Sequence, residues 1–363
     1  LAIRLPPLKI DYLRTLTDDT GVFQHAKFCI PKRNEGYTTD DNARALIAVV
    51  KYLKLRNDKT VKSLANIYLA FLNHMQKQDG IFHNYLSYER TFLDVNGSPD
   101  AAGRALWACG CVMNSNLPKD MQLVAKDIFD RGLPWVFKST SLRFIAAALT
   151  GLYEYYQVNS EDNIKQNAEQ LGDSLVQHFK DQTKDDWYWF EPHLTYDNAR
   201  LPQALFLAYT MVKKLEFRLV AEKAMDFMIN TQIIDKIFVP VGNDGWYKRG
   251  GNRPFYDQQP LEAAAMVDAA VDGYIATKNR KYMDIAKKAF DWFMGKNSCK
   301  TVMYDNKTGG CYDGLSENYV NRNQGAESAI SYLLARLKLE ENRQVLKYQK
   351  RNELEISPVY QRV

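Results

Sequence analysis

The chain has 363 residues, 46% of them hydrophobic and 25% charged, which is enough to bury a large core, and a formal net charge of +5. Its Lys and Arg residues are scattered over what read as outer helix faces, with no dense basic block or nucleic-acid motif, and no apolar run is long enough to cross a membrane. Nucleic-acid-binding and membrane-spanning classes are therefore set aside.

The five cysteines, Cys29, Cys109, Cys111, Cys299 and Cys311, are odd in number and lack zinc-site spacing, so the expectation is a reducing, cytoplasmic setting without a metal or other cofactor. No secretory signal opens the chain. It begins at Leu1 rather than Met, which reads as a piece of a longer polypeptide.

In chain order, the sequence alternates between two kinds of predicted helix. A short amphipathic stretch from Lys9 to Thr17 comes first, followed by an apolar, Ala-rich helix opening at Thr39-Asp40-Asp41-Asn42-Ala43-Arg44. An amphipathic helix over Thr60 to Gln76 precedes the second apolar one at Ser98-Pro99-Asp100-Ala101-Ala102-Gly103-Arg104. Lys119 to Asp130 leads to Ser141-Leu142-Arg143, and Ser160 to Lys180 to Tyr196-Asp197-Asn198-Ala199-Arg200. Glu216 to Asn230 then precedes Tyr256-Asp257-Gln258-Gln259-Pro260-Leu261-Glu262, and Lys281 to Phe293 precedes Asn323-Gln324-Gly325-Ala326-Glu327. Gly- or Asp-rich aromatic loops recur ahead of these starts, as in Asp79-Gly80-Ile81-Phe82, Asp185-Asp186-Trp187-Tyr188 and Asp244-Gly245-Trp246-Tyr247.

A six-fold repeat of about 50 to 65 residues built from such pairs is an internally repeated architecture. A helix apolar nearly all round must be enclosed, whereas one with a single apolar stripe covers a surface, so the alternation predicts concentric rings. Six of each close an all-α (α/α)6 toroid over residues 1–340, with a polar tail over 341–363 whose basic stretch runs from Lys347 to Arg351. All six inner helices would begin at one rim, around a single funnel.

Asp41, Asp100, Asp197, Asp257 and Glu327 would face that funnel, walled by Tyr37, Trp187, Trp189, Trp246 and Tyr256. A helix-start Asp is commonly a cap, but Asp40 stands beside Asp41 and Glu262 follows Asp257 within two turns, so some of these acids are surplus to capping. Arg44, Arg104 and Arg200 follow Asp41, Asp100 and Asp197 at same-face spacing, which suits either structural ion pairs or a fork that holds ligand hydroxyls.

Asp257 has no Arg at that spacing, and Glu262, Tyr256 and Phe255 nearby would raise its pKa, which marks it as a general acid. Across a ring of six it faces Asp100, which Arg104 would keep ionised as base; the rival opposed pair is Asp41 and Asp197. Arg143 faces Glu327, a positioning pair, and Gln258, Glu191 and His193 complete the predicted binding set. Trp187-Tyr188-Trp189-Phe190 is either a stacking platform for sugar faces or core packing.

The double-helix repeat, the acidic first turns and the aromatic rim together resemble the six-hairpin glycosidase superfamily over about Asp11 to Leu339. More narrowly, Tyr37 to Leu46, Gly97 to Gly110, Trp189 to Leu205, Phe255 to Met266 and Gly309 to Leu334 look like a bacterial carbohydrate-active family often labelled glycosyl hydrolase or encoded with sugar transferases. The resemblance implies an (α/α)6 barrel and a sugar substrate, but the superfamily includes hydrolases and epimerases. The expected activity is hydrolysis of a neutral oligosaccharide by an inverting mechanism, with Asp257 and Asp100 as acid and base. The alternative is a non-catalytic glycan-binding or scaffold domain attached to, or partnered with, a sugar transferase. An epimerase fits less well, because paired histidines are missing from the helix starts.

Overall fold

The computed structural model describes residues 5–343. The expected tail from residue 344 onward, including Lys347 to Arg351, lies outside the described residues.

Twelve α-helices run through the described residues: α1 Asp11–Thr15, α2 Thr39–Leu55, α3 Lys62–Met75, α4 Pro99–Met113, α5 Lys119–Val136, α6 Leu142–Tyr156, α7 Asp162–Gln182, α8 Arg200–Val212, α9 Leu215–Gln232, α10 Pro260–Thr277, α11 Lys281–Phe293 and α12 Ala326–Glu341. The even-numbered helices pack each on the next, and α12 returns to α2, closing an inner ring. Each odd-numbered helix from α3 to α11 backs the inner helix before it, while α1 packs on α12 and so supplies the sixth outer member from the opposite end of the chain. This is the (α/α)6 toroid.

Burial follows the two patterns read from the sequence. Every residue of α10 from Pro260 to Gly273 is buried, whereas α11 buries a stripe that includes Tyr282, Ile285, Ala286, Ala289, Phe290 and Phe293 and leaves its charged face outside. Each large apolar side chain so enclosed contributes roughly 1.5–3 kcal/mol. Small residues set the ring's diameter: a Cβ on Gly110 of α4 would lie 2.3 Å from the Gly151 carbonyl oxygen of α6, so those two backbones meet only because both positions are glycine.

The inner ring is not purely apolar along its axis. Lys51 reaches Glu341 at 3.3 Å and Glu154 at 3.8 Å, Lys338 reaches Asp272 at 2.6 Å, and Gln203 donates to Asp272 at 2.7 Å. Each of these buried charges has a partner of opposite sign, the condition under which burial is tolerable.

The loops at the rim are stitched pairwise by two-residue antiparallel strands. Tyr37–Thr38 pairs with Tyr85–Leu86, His193–Leu194 with Tyr247–Lys248, and Gly314–Leu315 with Val320–Asn321, while Gln258 bridges to Leu315. The first two ladders and the Gln258 bridge bind the loop of one repeat to its neighbour's, while the third is a hairpin within the loop ahead of α12.

Candidate functional site

The inner helices begin with hydroxyl caps where they have side-chain caps at all: Thr38 accepts from the Asp41 N–H, Ser98 from Ala101 and Ser141 from Phe144. No side chain caps α8, α10 or α12. The rim carboxyls are therefore free of capping duty, and what distinguishes them is which cations reach them.

On the α4–α6–α8 side they are tied down. Asp197, just ahead of α8, accepts from Arg104 at 2.9 Å and from Arg200 at 3.2 Å, and Arg200 also binds Asp268 at 2.7 Å. Burial alone would raise Asp197, but Arg200, Arg104 and Arg44 outweigh it and hold the carboxyl down at about 2. Asp100 accepts from Ser141 Oγ at 2.8 Å and from the Tyr196 hydroxyl at 2.5 Å. Arg143 grips both oxygens of Glu191 at 2.9 and 3.0 Å, donates to Thr195 at 2.7 Å and lies over the Tyr196 ring.

The expected Asp100–Arg104 ion pair does not form. Arg104 is long enough to leave its own helix, and it joins Asp40 at 2.7 Å to Asp197 instead, two carboxylates from the first and fourth repeats, which face each other across the ring. Nor does Glu262 act on Asp257. It points under α8, where it accepts the Asp197 N–H and the Asn198 amide, and burial followed by the Asp197 charge pushes it up to about 7.

The α10–α12–α2 side is open. Asp40, Asp41, Asp257, Asp313 and Glu327 all line one cavity of about 310 Å³, together with His25, and neither Lys nor Arg is on its wall. Arg44 lies beneath, 2.5 Å from Glu327, 3.2 Å from Asp40 and 3.9 Å from Asp41. Burial, then the neighbouring Asp40 charge, pushes Asp41 up to about 7, while Thr38 donates to its Oδ2 at 2.7 Å. Asp257 is raised by its partial burial, with side-chain bonds from Gln259 and Ser316 pulling the other way. Asp313 is also raised by burial, against the Gly325 N–H, Ser328 and His25. Five carboxyls outnumber the two cations that reach them, Arg44 from beneath and Arg104 at Asp40, and such an excess in a half-dry cavity keeps some of them protonated near neutral pH.

The predicted aromatic wall is mostly core. Trp187 is 6% and Trp189 0% exposed, both packed against Phe227, so the run expected as a platform is folded under the rim. Tyr37 is buried, stacked on Phe23 with its hydroxyl donating to Asp18. Gln258 is buried too, accepting from Trp292 and donating to Ser298, which fixes the loop segment that carries Asp257. His193 pairs through its backbone with Lys248. Of the predicted aromatics, Tyr256 lines a second cavity beside Asp257, and Trp246 stays exposed near Tyr196.

Sequence reasoning missed Asp313 and His25. Both stand in loops ahead of α12 and α2 rather than at a helix start, and the only signal was the Gly-rich loop Gly309-Gly310-Cys311-Tyr312 that delivers Asp313. Among the described residues no group of three or more His, Cys, Asp or Glu is arranged to hold a metal ion, and no helix is long and apolar enough to cross a membrane.

With fold and rim in place, solved structures of the same architecture can be compared. A D-mannose isomerase superposes with a TM-score of 0.74 at 15% identity, covering 92% of this chain and 94% of that one. A cellobiose 2-epimerase from Spirochaeta thermophila gives 0.71 at 13%, covering 93% of each chain. A GH76 alpha-mannanase from Bacteroides thetaiotaomicron gives 0.63 at 11%, covering 93% of this chain and 95% of that one. At these identities the matches show the fold alone: the chain shares the (α/α)6 toroid with these enzymes. No family model and no curated protein matches the sequence.

Proposed function

We propose that the chain is a carbohydrate-active enzyme, a glycoside hydrolase that cleaves a neutral oligosaccharide with inversion, using Asp257 as general acid and Asp41 as general base. The supporting observation is that these two, of the four carboxylates first considered, line the same cavity. Asp100 and Asp197 are both absent from its wall and engaged elsewhere.

In this reading a sugar ring occupies the acid-lined cavity. Asp257 gives its proton to the glycosidic oxygen as the bond to the anomeric carbon breaks. Asp41 takes a proton from the water that attacks the opposite face, so that water's oxygen becomes the new anomeric hydroxyl. A base near pKa 7 is well matched to neutral pH. Substrate that displaces water from half-buried Asp257 raises its pKa further, which favours its acid form when it is needed. Asp40 and Glu327, both bonded to Arg44, fix the arginine beneath the base.

Asp41→Asn should lower turnover roughly 10²- to 10⁴-fold, about 3–5 kcal/mol of barrier, with the circular dichroism spectrum intact. The pH profile of kcat/KM should titrate near 7 in the parent and lose that limb in the variant. Full activity in folded Asp41→Asn overturns the assignment.

A second reading, sugar isomerisation, is favoured by His25 on the same wall and by the isomerase and epimerase among the similar structures. Product analysis separates the readings. Hydrolysis creates new reducing ends, isomerisation changes sugar identity at constant mass, and binding without either product marks a non-catalytic glycan-binding domain. Because this fold hosts different chemistries, the carboxylate geometry rather than the architecture carries the proposal.

A further inference from the structure

Beside the acid-lined cavity lies a larger one of about 770 Å³, which the cleavage step leaves unused. Asp257 is the one residue on both walls. The larger cavity is built by two facing loop segments, residues 253–257 and 316–319, and it leaves two big rings open: Phe255 is 49% and Tyr319 67% exposed. Folding gains by burying such rings, as it does with Trp187 and Trp189 two loops away, so their exposure at the mouth of a polar cavity calls for an occupant.

Phe255 is also braced. The Arg253 guanidinium carbon lies 4.6 Å from its ring centroid, and Arg253 Nη2 donates to the carbonyls of Val239 and Pro240, so a cation stiffens one side of the platform. Arg253 makes no ion pair among the described residues, and its burial lowers its pKa to about 10, as expected of a brace without a carboxylate partner. Around the rings stand Asp244, Ser316, Glu317 and Asn318, acceptors and donors suited to hydroxyl groups. Flat apolar faces edged with hydroxyls describe a pyranose ring, and apolar contact with a few convergent polar groups is how cavities of ~300–1,000 Å³ take small molecules.

We propose that this cavity binds the sugar units on the leaving-group side of the scissile bond, with Phe255 and Tyr319 as stacking platforms, so that the substrate is an oligosaccharide lying across both cavities with its cleaved bond at Asp257. The position of Asp257 follows from this, because an acid that protonates a glycosidic oxygen has to stand between the two sugars it joins. The inference rests on the hydrolase reading for the direction of cleavage; the binding surface stands apart from it.

The test uses isothermal titration of Asp41→Asn, with glucose and mannose and with the cello- and manno-oligosaccharide series from two to six units as probes. Affinity in one series should rise with chain length beyond the monosaccharide. Phe255→Ala with Tyr319→Ala should weaken the tetrasaccharide roughly 10-fold or more while leaving the monosaccharide unchanged, in keeping with two stacking contacts. Asn318→Trp, which fills the cavity without removing either ring, should have the same effect. Both positions altered in the first variant are exposed, and an unchanged thermal midpoint confirms folding. Affinity independent of chain length, a tetrasaccharide that binds the double variant as tightly as the parent, or no binding of any probe at millimolar concentration overturns the proposal. Hydrolysis that persists undiminished in Asp41→Asn sinks the catalytic assignment instead, and the titration still judges the subsite.

Discussion

The two halves of the rim start from the same ingredients, acidic residues near the openings of all the inner helices but α6, and put them to different use. On the α4–α6–α8 side the carboxylates meet arginines or hydroxyls and cease to face the cavity: Asp197 takes two guanidinium groups, Glu191 one, and Asp100 two hydroxyls. On the α10–α12–α2 side five carboxyls stay on an open wall: Arg44 reaches Asp40, Asp41 and Glu327, Arg104 reaches Asp40, and Asp257 and Asp313 have no ion pair with Lys or Arg among the described residues. The difference is one of reach. Arg104 reaches back one repeat to Asp40 and forward two to Asp197, Arg200 reaches Asp268 in the next, and Asp197, gripped by both, becomes a brace. The half without such cations on its wall keeps raised pKa values, the condition for proton transfer.

The largest expected effects divide along that line. Asp257→Asn should depress turnover as Asp41→Asn does, roughly 10²- to 10⁴-fold, with little change in thermal midpoint. Asp197→Asn should do the reverse. It strips the negative charge from between Arg104 and Arg200 and leaves two buried guanidinium groups undercompensated, at a cost of about 3–5 kcal/mol in folding free energy measured by urea unfolding. Should Asp197→Asn instead abolish turnover while unfolding at the parent's midpoint, the braced half would have to be reckoned catalytic.

How much of this was legible in the sequence depends on the range of the forces involved. The helices were, because a stripe of apolar residues and a Ser or Pro at the helix start are local: α11 falls on Lys281–Phe293 as predicted, and α4 begins at Pro99. The sorting of the acids was not, because Arg104 ignores Asp100 four residues earlier and joins Asp40 to Asp197, 64 and 93 residues away. Same-face spacing held for Asp197 and Arg200, although each also has a shorter contact with a distant partner, Arg104 for the acid and Asp268 for the arginine. The aromatic run failed as a platform because alternation along a loop says which side chains agree in direction, not whether that direction is inward. Trp187 and Trp189 do agree, and both point into the core. Phe255 and Tyr319, the rings left open, belong to no run at all.

The halves should also respond oppositely to pH. Asp197 has its folded pKa depressed to about 2 from an ordinary 3.8, so its stabilisation is present above the unfolded value and is lost as pH falls through 4 toward 2, about 2 kcal/mol in all. Asp41 has its folded pKa raised to about 7. The shift costs nothing below pH 4; the penalty builds as pH rises from 4 to 7, where the unfolded chain has ionised and the folded carboxyl has not, and is complete above 7 at about 4 kcal/mol. At pH 8, Asp41→Asn should therefore be more stable than the parent, and the gain should vanish at pH 4. Denaturant midpoints at the two pH values test this, and equal stability at pH 8 would mean that Asp41 is not under the strain its surroundings imply. A protein made steadier by losing an acid is one in which that acid is kept for its chemistry.

The smallest effect is the most discriminating. Asp100 was the base expected from opposition across a six-fold ring, yet it accepts from Ser141 and Tyr196 on the braced side, and burial first, then this hydrogen bond, raises the Tyr196 hydroxyl above its ordinary range. Asparagine at this position keeps one acceptor and turns a donor toward a hydroxyl that can rotate to accept, so Asp100→Asn should cost about 1 kcal/mol of stability. Turnover should stay within a few-fold of the parent, because in the proposed mechanism no proton passes through this carboxylate. A loss of 10²-fold or more, with Asp41→Asn nearly silent, would move the base across the funnel. Ring symmetry would then have been a better guide to the chemistry than the distribution of arginines.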